Sequence, residues 1–297
     1  MLVAACTKWV DLRPEVDPVH GTVVATGRGG GFSAADHSAV EVALRLADAW
    51  DGEVVVICAG PVEAEDGLRE LLAAGASRAV RIDVGDAHGD ELGVHTGEGA
   101  AAQLGPVLRE LRAEVVVCGD VSTDLGSGTV PAYLAHHLDA AQALGLLSVE
   151  VGERGRVRAV RRLDGGRREV LDVAAPAVLS VEGAVAELRR APLSAALAAR
   201  DAAVDVRMAR PARAGDPPRL RPWRPPARAV APPAGEHALD RVVQLTGALV
   251  DRTPPRTLEL EPAAAAEAIL EQLRTWGYLV PTPDAGGAGD RVDAVDG

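Results

Sequence analysis

The chain has 297 residues, of which 47% are hydrophobic and 2% aromatic, and its formal net charge is -12. This length allows one large domain or two small ones, with a core built from Val, Leu and Ala. The acidic balance argues against a nucleic-acid partner and against binding to an anionic membrane. No apolar run reaches the length of a membrane span and no secretory signal opens the chain, so a cytoplasmic protein without membrane insertion is expected.

Apolar runs alternate with helical patterns through the first 138 residues. Strands are predicted at 2–6, 53–59, 78–83 and 114–118, with helices between them. Ser33 is expected to cap the first helix, with Asp36 in its first turn. Because this order requires crossover connections, it predicts an α/β fold with a doubly wound, mostly parallel, Rossmann-like sheet.

Two features of the early chain are less regular. The segment 8–31, rich in Pro and Gly, is expected to be a long exposed loop. Cys6, Cys58 and Cys118 each lie near the end of an apolar run. Their spacing fits no metal motif, and small buried core residues are favoured over thiol chemistry.

The stretch 114–131, EVVVCGDVSTDLGSGTVP, is the most informative part of the chain. Three valines predict a buried strand, the glycines and hydroxyl residues predict a tight loop, and Pro131 fits the first turn of a helix. Loop amides and a helix amino terminus together form anion sites. The pattern therefore indicates a cradle for a nucleotide phosphate; the alternative is an ordinary strand–helix connection.

The second half of the chain changes character. Extended runs at 146–151, 156–163, 169–173 and 177–181, separated by hairpin turns, predict antiparallel strands at one edge of the sheet. The predicted organisation is a nucleotide-binding domain at 1–199, a Pro/Arg-rich arm or linker at 200–240, a C-terminal segment at 241–280 and a disordered tail at 281–297. A docking helix is predicted to open at Pro262.

Three motifs resemble the β subunit of electron transfer flavoproteins. The loop Gly119 to Val130 stands where that family binds AMP. The run RRLDGGRREVL at 161–171, followed by Pro176, is similar to the family signature, and so are Gly60-Pro61 and the turn at 73–78. The segment 241–256 is similar to the mycofactocin-associated branch.

The resemblance implies an electron carrier without turnover chemistry of its own. Such a β subunit pairs with an α subunit that holds most of the FAD, and it contains AMP or a second FAD. The heterodimer carries electrons from a flavin-linked dehydrogenase towards a quinone reductase or the respiratory chain.

The resemblance also implies which residues form these sites. The cofactor-binding residues would be Ala5, Ser33, Ala34, Ala35, Asp36, Ala59, Gly119, Asp120, Val121, Ser122, Thr123, Asp124, Leu125, Gly126, Ser127, Gly128, Thr129 and Val130. Partner recognition would fall on 181–190, with Val185, Glu187 and Arg189 as its candidates. No catalytic and no metal-binding residue is implied.

Two other classes share this sheet architecture. An adenylating enzyme would need a pyrophosphate loop of the SGGxDS type or a HIGH-type motif, and the chain has neither. A stand-alone ATP- or AMP-binding module is usually about half this length. The carrier subunit is the favoured interpretation.

Overall fold

The computed structural model describes residues 1–17, 20, 23–24, 29–85, 96–210, 232–247 and 257–278. The chain divides into two units, Met1–Trp223 and Arg224–Gly297. The strands are β1 (Leu2–Thr7), β2 (Val10–Asp11), β3 (Glu15–Val16), β4 (Val23–Val24), β5 (Gly30–Gly31), β6 (Glu53–Gly60), β7 (Arg78–Asp83), β8 (Val115–Gly119), β9 (Ala141–Val151), β10 (Arg156–Arg162), β11 (Arg168–Ala174), β12 (Ala177–Val181) and β13 (Asp205–Met208). The helices are α1 (Ala34–Trp50), α2 (Ala64–Ala73), α3 (Gly97–Leu111), α4 (Val130–Leu138), α5 (Leu193–Ala199), α6 (Ala238–Thr246) and α7 (Pro262–Thr275).

The first unit is built on one large sheet with the strand order β11-β10-β9-β12-β8-β1-β6-β7-β13. All neighbouring strands from β9 to β13 in this order pair in parallel. The chain leaves β1 towards β6 and β7 and then returns to place β8 on the other side of β1. This reversal makes the boundary between β1 and β8 a topological switch point, where α/β proteins bind ligands.

Helices cover both faces of the sheet and pack against it with their apolar sides. Val3 and Ala5 of β1 lie in the core beneath α1 and α2, whereas Ala4 and Cys6 lie in the core beneath α3 and α4. Successive side chains of a strand point to opposite faces of the sheet, so each central strand contributes residues to both cores. This explains why the central strands are apolar throughout. The prediction of a doubly wound, mostly parallel sheet is confirmed.

The antiparallel extension is confirmed for three of its four predicted strands, β9 to β11. The run 177–181, predicted as the fourth, instead forms β12, which lies between β8 and β9 and pairs in parallel with both. All five of its residues are buried, as is usual for a strand inside a parallel sheet. β10 pairs antiparallel with both β9 and β11 at one edge of the sheet. β9 begins at Ala141, five positions earlier than expected from the apolar run. Residues 141–143 carry a weak strand signal, and their pairing with β12 supplies the missing stability.

Two predictions for irregular segments need correction. The described part of 8–31 is not simply an exposed loop: it contains β2 to β5, and Val10 is buried. Residues 205–208, assigned to the arm by composition, form β13 and pair with β7 at the sheet edge. Because β13 is mostly exposed, its sequence lacks the apolar run that marks a central strand.

The described residues of the second unit form α6 and α7. α7 starts at Pro262, as predicted, and Gly277 follows it with a φ of 76°. Ile269 and Leu270 on α7 are exposed. The sequence analysis missed α5 and α6. Most of the predicted arm (211–231), part of the predicted branch signature (248–256) and the predicted tail lie outside the described residues.

Within the described ranges, no helix combines the length and the apolar character needed to cross a membrane.

Candidate functional site

A cleft opens at the carboxyl ends of β1, β6 and β8, next to the switch point. Its lining residues are Cys6, Thr7, Lys8, Asp36, Ala59, Thr96, Gly97, Ala100, Leu104, Cys118, Gly119, Asp120, Val121, Ser122, Leu125, Ser127, Gly128, Val130 and Pro131. They include the first turns of α3 and α4, so two helix amino termini meet at the same cleft. Helix amino termini carry partial positive charge and free amides, which makes such a meeting point suited to an anion.

The amino end of α1 borders the cleft through a capping box. The Ser33 hydroxyl accepts a hydrogen bond from the Asp36 amide at 3.2 Å, and an Asp36 carboxylate oxygen accepts from the Ser33 amide at 2.9 Å. The capping expected from the sequence is therefore confirmed. A Cβ on Gly119 would lie 2.9 Å from the Ala35 Cβ, so glycine is needed where β8 meets α1.

The loop between β8 and α4 forms one wall of the cleft. The Asp120 amide continues the sheet by donating to the Val181 carbonyl at 3.0 Å, and a turn closes where the Gly126 amide donates to the Ser122 carbonyl at 2.9 Å. Gly126 and Gly128 have φ values of 63° and 61°, a region that glycine enters without steric cost. Small residues thus let this wall curve around the cleft.

One ion pair lies at the cleft, between Lys8 and Asp124. The Lys8 ammonium lies 2.8 and 2.7 Å from the two carboxylate oxygens of Asp124. Burial works to raise the pKa of Asp124, but hydrogen bonds from Lys8 and Ser122 outweigh it and lower that pKa. Burial raises the pKa of Asp36 although Ser33 and the Lys8 amide donate to its carboxyl. The Lys8 backbone and side chain therefore contact two different carboxyl groups.

The cysteines are buried and free. Cys6 and Cys118 are register partners on β1 and β8 and both line the cleft floor, whereas Cys58 lies in the core beneath α1 and α2. A hydrogen bond with Cys6 and burial raise the pKa of the Cys118 thiol, and burial raises that of Cys58 to about 12. The protonated, buried thiols of Cys58 and Cys118 are poor nucleophiles, in agreement with the interpretation of the buried cysteines as core residues.

Ten of the predicted cofactor-binding residues line the cleft: Asp36, Ala59, Gly119, Asp120, Val121, Ser122, Leu125, Ser127, Gly128 and Val130. Eight do not line its described part: Ala5, Ser33, Ala34, Ala35, Thr123, Asp124, Gly126 and Thr129. Ala5 lies beneath α1, on the opposite face of the sheet from the cleft-lining Cys6. Because successive strand side chains point to opposite faces, Cys6 lines the cleft in place of the predicted Ala5.

The sequence analysis missed the contribution of α3 and of the β1 exit. Thr96, Gly97 and Ala100 come from the start of α3 and Leu104 from its middle, while Thr7 is the buried last residue of β1 and Lys8 follows it. The Thr96 hydroxyl accepts a hydrogen bond from the Gly99 amide, so Thr96 caps α3. A threonine before a helical pattern is a recognisable cap signal, but only the fold brings this helix end to the cleft.

The predicted recognition segment is fastened to α1. Arg189 forms ion pairs with Glu41 at 3.0 Å and with Asp48 at 2.9 Å. The Ala186 amide donates to the Ser38 hydroxyl at 3.1 Å. Val185 is half-buried against the core, and Glu187 is exposed. Arg189 is thus held by its own chain, and of the three predicted recognition residues Glu187 is the one most open to a partner.

The described lining of the cleft combines polar groups with a small enclosed volume. Hydroxyl groups, helix amino termini and the Lys8 ammonium surround it, and its described lining contains no aromatic side chain. The enclosed volume is about 90 Å³, below the roughly 300–1,000 Å³ of ordinary small-molecule pockets. A bound nucleotide would therefore lie partly in the open mouth. No group of three metal-ligating side chains occurs among the described residues.

The sheet order and the position of the cleft define a doubly wound α/β protein with a cleft at its switch point. The family model described as "Electron transfer flavoprotein domain" matches residues 21–212, more than half of the chain. The chain belongs to the electron transfer flavoprotein β subunit family, as the sequence motifs indicated.

Individual relatives agree with this family. The chain is 34% identical over 173 residues to the electron transfer flavoprotein subunit beta of Mycobacterium tuberculosis, covering 57% of this chain and 63% of that protein. It is 32% identical over 228 residues to protein FixA of Rhizobium meliloti, covering 72% of this chain and 77% of that protein. The aligned region thus spans less than two thirds of the mycobacterial relative.

Proposed function

We propose that this chain is the β subunit of a heterodimeric electron transfer flavoprotein. One observation carries the proposal: a member of this family has two helix amino termini and a lysine gathered at the carboxyl edge of its sheet. The proposed heterodimer takes electrons from a flavin-linked dehydrogenase and passes them towards a quinone reductase or the respiratory chain. The chain supplies no turnover chemistry of its own.

AMP is the proposed occupant of the cleft, and FAD is proposed to be held mainly by the α subunit. The amides at the starts of α3 and α4 would receive the phosphate, while the loop 119–130 would enclose the nucleotide. The described lining offers no aromatic surface for a flavin ring, which supports AMP over a second FAD. Within the family, the chain is proposed to belong to the mycofactocin-associated branch.

The domain organisation is proposed as predicted: 1–199 for the nucleotide, an arm at 200–240, a C-terminal segment at 241–280 and a tail at 281–297. Within it, α7 is the proposed docking helix for the α subunit. Its exposed Ile269 and Leu270 support this role, since an apolar helix face gains stability when a partner covers it.

The decisive experiment is co-expression of the chain with its α subunit. Acid extraction is expected to release FAD and AMP in equal amounts, and reduction of the flavin by a dehydrogenase should be reversed by a quinone analogue. The chain purified alone should be colourless. A yellow isolated chain containing equimolar FAD would contradict the AMP assignment, and a failure to pair with any α subunit would contradict the heterodimer.

A further inference from the structure

Lys8 is the only lysine in the chain, against 30 arginines. It leaves the carboxyl end of β1 and lines the cleft. Among the described lining residues it is the one cation, while Asp36 and Asp120 also line the cleft. A dianionic phosphate entering here therefore depends on the helix amino termini and on this ammonium for its charge balance.

The ammonium is already engaged by the opposite wall. Asp124 lies in the loop between β8 and α4, 116 positions from Lys8, and presents both carboxylate oxygens at hydrogen-bonding distance. About a third of each side chain is exposed, so solvent and small ligands reach the pair. The pair joins the end of β1 to the loop that encloses the cleft.

We propose that Lys8 selects the phosphate of the cleft ligand and that the Asp124 carboxylate competes with that phosphate for the Lys8 ammonium. This inference rests on the proposed nucleotide site and assigns its phosphate specificity to one residue. The Asp124 carboxylate is an internal anion that occupies the same donor. Charge-assisted hydrogen bonds are stronger than neutral ones, so this exchange affects a ligand's phosphate more than its nucleoside.

Geometry supports a role for Lys8 beyond holding the loop. Its backbone amide donates to Asp36 at 3.1 Å, which fixes the residue at the cleft without using the ammonium. The loop has its own internal bonds: the Val121 amide donates to the Asp120 carboxylate, and the Leu125 amide donates to the Asp124 carboxylate, each at 2.8 Å. An asparagine at 124 keeps an acceptor for that amide while it removes the charge.

The test compares AMP with adenosine, which carries no phosphate, on the full-length chain. Equilibrium dialysis of wild type, Lys8→Met and Asp124→Asn gives both dissociation constants. Lys8→Met should weaken AMP binding about 10-fold to 100-fold and change the dissociation constant of adenosine by no more than about 2-fold. Asp124→Asn should tighten AMP by about 3-fold to 10-fold, because the ammonium is released and a nearby negative charge is lost.

Asp120→Asn is the matched control. Asp120 lines the cleft, but its described side-chain bond is to the Val121 amide. Asp120→Asn should strengthen AMP binding less than Asp124→Asn does. Thermal unfolding of each variant identifies any loss of folding, and Lys8→Arg, which restores the charge, should recover part of the AMP affinity lost in Lys8→Met.

The outcomes separate two failures. Equal weakening of AMP and adenosine by Lys8→Met, or weaker AMP binding in Asp124→Asn, would overturn the role of Lys8 while the nucleotide site stands. An equal increase in AMP affinity in Asp120→Asn and Asp124→Asn would mean that any lost negative charge has the same effect. That result would also overturn the proposed competition between Asp124 and the phosphate. A wild-type chain that binds neither ligand would refute the proposed nucleotide site and this inference with it.

Discussion

Two buried carboxyl groups on α1, one at the cleft and one beneath the segment 182–190, have different hydrogen-bond donors. Asp36, at the cleft, and Glu41, under the segment 182–190, are both buried. Burial raises the pKa of Asp36, whose hydrogen-bond donors, from Ser33 and the Lys8 amide, are neutral. Burial opposes ionisation of Glu41 too, but hydrogen bonds from Arg189 and Arg45 lower its pKa.

This difference indicates a ligand-binding role for the region of Asp36 and a structural role for the region of Glu41. The Glu41 carboxylate forms ion pairs with Arg45 at 2.9 Å and with Arg189 at 3.0 Å, so its charge is neutralised within the chain. We call this contact between α1 and the segment 182–190 the flank. At the cleft the buried carboxyl has only neutral donors, and the nearby ammonium contacts an exposed loop. We therefore expect ligand-related effects from substitutions at the cleft and stability effects from substitutions at the flank.

The largest effect is expected from Gly128→Asp at the cleft. A Cβ there would lie 3.0 Å from the Asp120 carbonyl and 3.2 Å from Val121 Cγ1, at a φ that disfavours side chains. The carboxylate would also repel a phosphate. Steric and charge effects together should weaken AMP binding by about 30-fold or more, measured by acid extraction and by dialysis.

Gly126→Asp is the control for this substitution. Gly126 has nearly the same φ, but its Cβ would have nothing nearer than the Ser122 carbonyl at 4.0 Å, and the residue does not line the described cleft. Gly126→Asp carries a similar backbone cost without the close contacts, so thermal stability should fall in both variants and fall further in Gly128→Asp, while AMP binding should weaken much less in Gly126→Asp. Full AMP retention in Gly128→Asp would mean that the loop is only a connection.

Arg189→Met tests the flank. The substitution removes the ion pairs to Glu41 and Asp48 and leaves the buried Glu41 with the Arg45 guanidinium and the backbone amide of residue 189. Since Arg189 is partly exposed, we expect a loss of about 1–3 kcal/mol in the free energy of unfolding. Urea unfolding measures it, and AMP affinity should stay within about 2-fold of wild type.

Arg190→Met is the paired control, because the neighbouring Arg190 is exposed and has no ion pair among the described contacts. Its stability should match wild type. If Arg189→Met is as stable as Arg190→Met while docking to an electron donor is lost, Arg189 is a recognition residue, as the resemblance implied, rather than a support.

The opposite pKa directions predict opposite pH trends. Because the folded-state pKa of Glu41 lies below its ordinary value of 4.5, Glu41 stabilises the fold above that pH and loses the contribution as the pH falls. Arg189→Met should therefore flatten the acid side of the stability curve. Urea unfolding across the acid range decides; an unchanged slope would contradict the pairing.

Asp36 has the reverse sign. Its folded-state pKa lies above its ordinary value of 3.8, so its contribution is present below that pH and is lost as the pH rises through the folded value. Asp36→Asn removes this loss, and its stability relative to wild type should increase with pH. A relative stability that decreases with pH would show that Asp36 is stabilised as a carboxylate.

The smallest effect is expected from Ser127→Ala. Its hydroxyl lies 3.3 Å from the Thr129 hydroxyl and lines the cleft, and the loop amides remain after the substitution. The loss of one neutral donor should weaken AMP binding by about 2-fold to 10-fold. A loss as large as that of Gly128→Asp would make the hydroxyl, rather than the backbone, the main ligand contact.

Much of the fold could be predicted because its signals are local. The valine runs of β6 and β8, the Ser33 cap and the turns of the antiparallel extension depend on residues only a few positions apart. The failures have a physical cause as well. β13 and the start of β9 gain their stability from neighbouring strands rather than from their own apolar pattern.

The sequence by itself determined the strand–loop–helix unit at 114–131 and the family, since both depend on short motifs. Only the tertiary structure decided that α3 reaches the cleft, that Cys6 rather than Ala5 faces it, and that Lys8 meets Asp124. Lys8 and Asp124 are 116 positions apart, and Glu41 and Arg189 are 148 apart. Such pairs form because β1 lies next to β8 and because α1 packs beneath the segment after β12, and no local pattern encodes this placement.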